Sequence, residues 1–277
     1  GGSCGVPGLI ASALSTAGSV ENIAGLTVGS LDMALVQADV ARLAYRGEGA
    51  FADEPAHSDL RAIASLHPEA VHVVIRANGP IEGIAELRGK RVSLGAEQSG
   101  TRVTAGMVLP GYNLRLDRIQ PVFESLGRAS DMLADGEIDA FFMVGGYPLS
   151  AIQHAAENIG IRLLPIEGAA SERLRERFPF FTASVIPEGT YHEVAATPTL
   201  SVQANLVVDA SMSEDLVYAI TRALWRPENM QVLSRELPET LRFYAADATT
   251  GIALPLHDGA ARFYREVGLL GVETATP

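Results

Sequence analysis

Two short loops gather hydroxyls and glycines just ahead of helix-like segments. Gly95-Ala-Glu-Gln-Ser-Gly100-Thr101-Arg102 follows a strand-like run and precedes a helical one. Its glycines have the spacing of a phosphate loop, but the lysine that would reach the terminal phosphates is absent. Nucleotide chemistry therefore has little support. A smaller anion fits better, because backbone N–H groups at a helix start, joined by the hydroxyls of Ser99 and Thr101, suit a carboxylate. Ser99 could equally do no more than cap the helix. Thr16-Ala-Gly18-Ser19-Val20-Glu21-Asn22 is a second loop of this kind, which Ser19 and Asn22 could cap without any ligand. Facing each other across two lobes, the two loops would form a cleft rich in donors. Arg102 could supply a counter-charge there or lie as a solvated arginine on a helix face.

Residues able to carry catalysis are sparse. The six histidines (57, 67, 72, 154, 192 and 257) show no HxxxH or HExxH spacing. His72 sits in an apolar strand and reads as a core histidine. Asp32 and Asp139 sit at helix-to-strand junctions and read as structural. Cys4 is the single cysteine, which excludes an internal disulfide and a cysteine-based zinc site. No catalytic residue, metal or cofactor is expected. A formal net charge of −12 argues against nucleic acid or an anionic membrane as partner. With 47% hydrophobic and 19% charged residues the chain can bury a sizeable core. No apolar run approaches the ~20 residues that span a bilayer. No basic stretch followed by an apolar one marks a signal peptide, and Gly1-Gly2-Ser3 reads as a processed or engineered end.

The elements that must position these loops alternate between helical and strand-like patterns, which is the mark of an α/β fold. Ser211-Met-Ser-Glu214 has the form of a capping box, and Leu216, Val217, Ile220, Ala223 and Leu224 follow at helical spacing. Ile81–Leu87 reads as a short helix closed by Gly89. Val71–Ile75, Arg91–Leu94 and Asn205–Val208 read as strands. One pattern occurs twice: Leu26-Thr-Val-Gly29-Ser-Leu31-Asp32 before Met33–Val36, and Leu133-Ala-Asp-Gly136-Glu-Ile138-Asp139 before Ala140–Val144. Each has a leucine in a helix's last turn, a glycine fit for a left-handed cap, an apolar-Asp pair and a buried strand. The repetition suggests two lobes of similar construction. Ligands of open α/β sheets bind beyond the carboxyl ends of strands, which singles out Gln37-Ala-Asp39 and Gly145-Gly146-Tyr147-Pro148. No linker interrupts the chain, so the lobes are expected to join through more than one crossover, with hinges in strands near Arg91–Leu94 and Leu200–Ala204. Lobe 1 would then comprise 1–92 and 202–277, and lobe 2 would comprise 93–201.

Seven segments in order carry a resemblance: Thr16–Ile23, Leu35–Val40, Leu60–Leu66, Gly89–Gly95, Ser99–Thr101, Gly136–Phe142 and Pro255–His257. From Thr16 to about Gly268 the chain resembles the TAXI family of solute receptors, the binding subunits of TRAP-type transporters. The resemblance implies a type II periplasmic-binding-protein fold, with two Rossmann-like lobes, two hinge crossovers and closure on a ligand. It implies a periplasmic or otherwise extracytoplasmic, monomeric protein that hands a small carboxylate, glutamate-like or dicarboxylic, to a membrane permease. A ligand-sensing domain of a signalling receptor or regulator is the alternative on the same fold. Carried over by motif, the ligand contacts are Thr16, Gly18, Ser19, Val20, Gln37, Asp39, Ser99, Gly100, Thr101, Gly145, Gly146, Tyr147 and Pro148. The chain departs from the family at its start, where Gly1–Gly8 is either a shortened Gly-rich loop or the remainder of a trimmed one, and at Ala17, which replaces a usual glycine.

Overall fold

The computed structural model describes residues 5–270. Gly1–Cys4, half of the expected shortened loop and the site of the single cysteine, lie outside them. In chain order the main elements are α1 (Ser19–Thr27), β1 (Met33–Gln37), α2 (Ala38–Arg46), β2 (Leu60–Arg76), β3 (Arg91–Ser93), α3 (Gly100–Gly111), β4 (Gln120–Val122), α4 (Leu126–Asp135) and β5 (Ala140–Gly145). They continue with α5 (Ser150–Ile159), β6 (Ile161–Leu163), α6 (Gly168–Arg177), β7 (Thr182–Ile186), β8 (Thr197–Asp209), α7 (Glu214–Leu224), α8 (Pro227–Glu236) and α9 (Asp258–Glu266). The predicted helix at Ile81–Leu87 contracts to a 3-10 turn over Ile84–Leu87. Helix α7 forms as its spacing requires, but its cap differs from the expected box. Ser213 stands at the N-cap without a side-chain bond, and the Ser211 hydroxyl bonds Asp209 Oδ1 instead, at 2.5 Å.

The chain divides into two compact units. Unit 1 comprises the described parts of Gly1–Thr16, Asn22–His67 and Ala204–Pro277; unit 2 comprises Ala17–Glu21 and Pro68–Gln203. Both long passages between the units fall inside strands, at 67/68 in β2 and 203/204 in β8. The second lies within Leu200–Ala204. The first lies well before Arg91–Leu94, because β3 is an interior strand of unit 2, paired parallel to both β4 and β5. Residues 68–92 and 17–21 accordingly belong to unit 2 and not to the first lobe expected from the sequence.

Unit 2 orders its strands β2-β5-β3-β4, with β6 also on β2 and β7 on β8. The β3-α3-β4-α4-β5 stretch is the parallel, helix-crossed part; β2 runs antiparallel to β5. Side chains alternate along each strand. Val71, Val73 and Ile75 of β2, with Ala140, Phe142 and Val144 of β5, enter one core with Ala105, Val108 and Leu109 of α3 and Leu174 of α6. Ala70, Val74 and Phe141 enter the opposite core with Ala129 and Leu133 of α4 and Ile152, Ala155 and Ala156 of α5. Helices therefore cover both faces, as the near-continuous apolar runs of these strands require.

In unit 1, β1 pairs antiparallel with β8 from Met33↔Val208 to Gln37↔Ala204. Its principal core joins Ile63, Ala64 and Val208 to Val217, Trp225, Phe263 and Tyr264 of the α7–α9 region. The Tyr264 hydroxyl donates to Ile63 O at 2.9 Å and accepts from Trp225 Nε1 at 2.9 Å, so this aromatic layer is buried with its polar atoms satisfied. His257 caps α9: its Nδ1 accepts from Gly259 N at 3.2 Å, and Nε2 donates to Met212 O at 3.0 Å.

Candidate functional site

The polar loops of unit 2 start from β3. Beyond it Gly95 turns with φ +89°, and a Cβ there would sit 2.7 Å from both Ser99 Oγ and Thr101 Cβ. Only glycine lets the loop fold this tightly against the start of α3. Ser99 is the N-cap: its hydroxyl accepts from Arg102 N at 3.2 Å and donates to Ala96 O at 2.7 Å. Thr101 Oγ1 accepts from the buried Val144 N–H of β5 at 3.1 Å and points its proton toward Met143 Sδ, 3.8 Å away. Both hydroxyls are thus committed to the fold, and what the α3 start can offer a ligand is its backbone N–H groups and helix dipole. Arg102 donates to Glu97 O at 3.0 Å and lies 4.8 Å from the Phe123 ring centroid. It packs on the helix face.

The second hydroxyl loop is not on an opposing lobe. Residues 17–21 cluster with unit 2, beside the first loop. Glu21 N donates to Gln98 O at 3.2 Å, and Gly18, with φ +134°, brings its backbone so near that a Cβ would be 3.1 Å from Ser99 Cα. The expected pair of loops facing across lobes is therefore a pair side by side, and it joins the N-termini of α1 and α3. Each end carries roughly half a positive charge, so their meeting raises the potential for an anion. Glu21 answers part of it, accepting from Ala17 N at 2.5 Å. Its position three residues after Gly18 is the capping-box spacing, a signal the sequence reading did not use. Ser19 is nearly buried as the first residue of α1, and Val20 half-buried beside it. Asn22 does not cap with Ser19; it accepts from Thr16 Oγ1 at 2.7 Å and donates to Leu35 O at 2.8 Å, all within unit 1.

The carboxyl ends of the two echoed strands are in place. In unit 1, Gln37 ends β1 and is the N-cap of α2; it is 5% exposed and Asp39 is 0% exposed, with Asp39 Oδ1 accepting from Val40 N at 2.9 Å. In unit 2, β5 ends at Gly145, and the chain turns through Gly146, Tyr147 and a cis Tyr147–Pro148 bond into α5. The Tyr147 hydroxyl donates to Val185 O at 3.3 Å, and burial pushes its pKa up. The structure brings Gly18, Ser19, Ser99, Gly100 and Thr101 together; Gln37 and Asp39 form their own group in unit 1, with Thr16 bonded to Asn22 in that unit.

The core residues beneath the Tyr147 loop carry no joint signal in the sequence. His72 is fully buried, as expected, and burial lowers its pKa to about 4, so it is neutral. Tyr191, 1% exposed, joins it to the loop; nothing in its sequence neighbourhood signals this. Of the junction aspartates, Asp139 is structural: Oδ1 binds Arg91 Nη2 at 2.8 Å and Oδ2 accepts from Arg91 N at 2.8 Å. The Arg91 guanidinium holds the Asp139 carboxyl below the usual carboxylate range. Among the described residues no group of three or more His, Cys, Asp or Glu side chains could hold a metal ion, and no helix is long and apolar enough to cross a membrane.

Comparison with known proteins fits this frame. The fold is similar to that of the alkanesulfonate-binding protein SsuA from Xanthomonas axonopodis pv. citri bound to MOPS, at TM-score 0.50 and 16% identity over 91% of this chain and 72% of that one. It is similar to the periplasmic sulfonate-binding protein SsuA from Methylobacillus flagellatus KT, at TM-score 0.50 and 13% identity over 90% and 79%. The periplasmic aliphatic sulphonate binding protein SsuA from Escherichia coli matches at TM-score 0.46 and 16% identity; 89% of this chain aligns, spanning 66% of that chain's length. The first two carry the fold class: the two-lobed α/β fold of periplasmic binding proteins. A family model spans residues 7–268, so the chain belongs to the NMT1-like family.

Proposed function

We propose that this protein is the extracytoplasmic solute-binding subunit of a transporter, capturing a small organic anion for delivery to a membrane permease and carrying out no chemistry on it. The observation that carries the reading is the meeting of the α1 and α3 N-termini at Gly18 and Ser99, where two positive helix ends share one place. An oxyanion head group relieves that repulsion; a neutral or cationic solute does not. The periplasmic sulfonate-binding proteins of like fold support an oxyanion ligand, and the ordered TAXI motifs support a carboxylate and a TRAP-type permease. Gly18, Ser19, Val20, Ser99, Gly100 and Thr101 form the anion end of the proposed site, and Tyr147 with Gly145, Gly146 and Pro148 its aromatic wall. Thr16, Gln37 and Asp39 are the ligand contacts proposed within unit 1.

Calorimetry and thermal-shift assays with L-glutamate, succinate and methanesulfonate, beside arginine and glucose as controls, test the reading. One of the anions should bind and, at a hundredfold excess over its Kd, stabilise the fold by about 2.7 kcal/mol. Carboxylate and sulfonate arms separate the two head groups. Stabilisation by a control and by none of the anions would reject anion capture.

A further inference from the structure

The buried polar chain under the Tyr147 loop has a single consistent set of hydrogen-bond directions. His72 Nδ1 lies 3.0 Å from Ala70 O, and a carbonyl can only accept. The one proton of the neutral imidazole is therefore on Nδ1, and Nε2 is a bare acceptor. The Tyr191 hydroxyl, 3.0 Å from Nε2, must donate to it. Its oxygen is then oriented to accept from Leu149 N at 3.2 Å. Leu149 follows Pro148 directly and is the N-cap of α5, with no side chain able to cap. Beside the Tyr147 bond to Val185 O, a relay thus ties the exit of the Gly145–Pro148 loop to the core: Leu149 N–H to Tyr191 O–H to His72, and His72 to the β2 backbone. The rings reinforce it, with His72 edge-on to both Tyr191 (centroids 5.8 Å apart) and Tyr147 (6.2 Å).

We propose that His72 and Tyr191 are positioning residues for the Gly145–Pro148 wall of the binding site, setting ligand affinity through the place of the Leu149 amide without touching the ligand. This rests on the capture reading above for its ligand, but not for the relay itself.

Three variants test it. Tyr191→Phe keeps the ring and removes both hydrogen bonds; His72→Leu removes the acceptor; His72→Gln offers an acceptor near the place of Nε2. Amide exchange over residues 145–150 should quicken about tenfold in the first two, the loss of one hydrogen bond, and return to within about twofold in the third. Affinity for whichever of L-glutamate, succinate or methanesulfonate the wild type binds should fall about tenfold in the same two variants and recover in His72→Gln. Circular dichroism establishes that each variant is folded; if His72→Leu is not, Tyr191→Phe carries the test alone. Unchanged exchange in the folded variants overturns the proposal. Faster exchange with unchanged affinity overturns it too, leaving the capture reading intact. If the wild type binds none of the three anions, the capture reading fails in its own right, and exchange alone decides whether the relay positions the loop.

Discussion

At the end of β1 the chain passes from Gln37 straight into α2, and Asp39, two residues on, is sealed from solvent. At the end of β5 it spends four residues, Gly146 to Leu149, before α5 begins, and leaves Tyr147 half-buried and Pro148 exposed. Yet the approaches are alike bond for bond. Gly29 N donates to Leu26 O and Ser30 N to Gly25 O; Gly136 N donates to Leu133 O and Glu137 N to Met132 O. Both glycines are left-handed, at φ +70° and +73°. This is the same helix-closing motif twice. The difference teaches that the motif sets where a strand begins and says nothing of how it ends. The far end depends on what packs below it, and only the second has the His72–Tyr191 pair.

The largest test of that contrast is acid. His72 has its pKa lowered on folding from 6.5 to about 4, so the unfolded chain binds a proton that the folded chain refuses between those values. Stability is fully present above pH 6.5 and should fall by about 3 kcal/mol as pH drops to 4. Urea titrations at pH 7 and pH 4 measure it, and His72→Gln should remove this share. The Asp139 contribution, from a lowered carboxyl pKa, is lost mainly below its unfolded value of 3.8 and touches only the acid edge of that window. Next in size, Thr101→Val strips the acceptor from the buried Val144 N–H and should cost about 2 kcal/mol in chemical denaturation. The paired aspartates follow. Asp139→Asn breaks the contact with Arg91 and should cost about 1–2 kcal/mol, while Asp32→Asn, at an exposed position, should stay within about 0.5 kcal/mol. Smallest and most alike are the glycines. Gly29→Ala and Gly136→Ala meet no close neighbour and should each cost about 1 kcal/mol for the left-handed backbone alone. Unequal losses would mean that the two junctions differ already at the helix end.

Much of this could be read in advance, and the reasons are local. Capping glycines, strand periodicity and the Ser99 N-cap are set by neighbours within a turn or two, so the chain itself carries their signal. The seven motifs in order carried the α/β binding-protein class. What could not be read was company. Nothing in Thr16–Asn22 reveals that its middle packs beside Ser99 rather than opposite it, since its partners there, Gln98 and Ser99, lie far along the chain. The duties of Thr101 and Tyr191 are equally hidden, because their partners, Val144 and His72, lie far along the chain. The first crossing falls earlier in the chain than expected for a similar reason: β3 is short, as a hinge strand would be, but its parallel neighbours on both sides, β4 and β5, make it core.

The two mid-strand crossings also bear on the order in which the protein can be made. Unit 2 needs little beyond the unbroken stretch 68–203, so its sheet can close as soon as that stretch has left the ribosome. Strand β1, synthesised first, has its partner in residues 204–208 of β8 and must wait for the whole of unit 2 to emerge. The earlier part of the chain is thus the later to fold, and a nascent chain halted before residue 204 would hold a finished second unit behind an unpaired first strand.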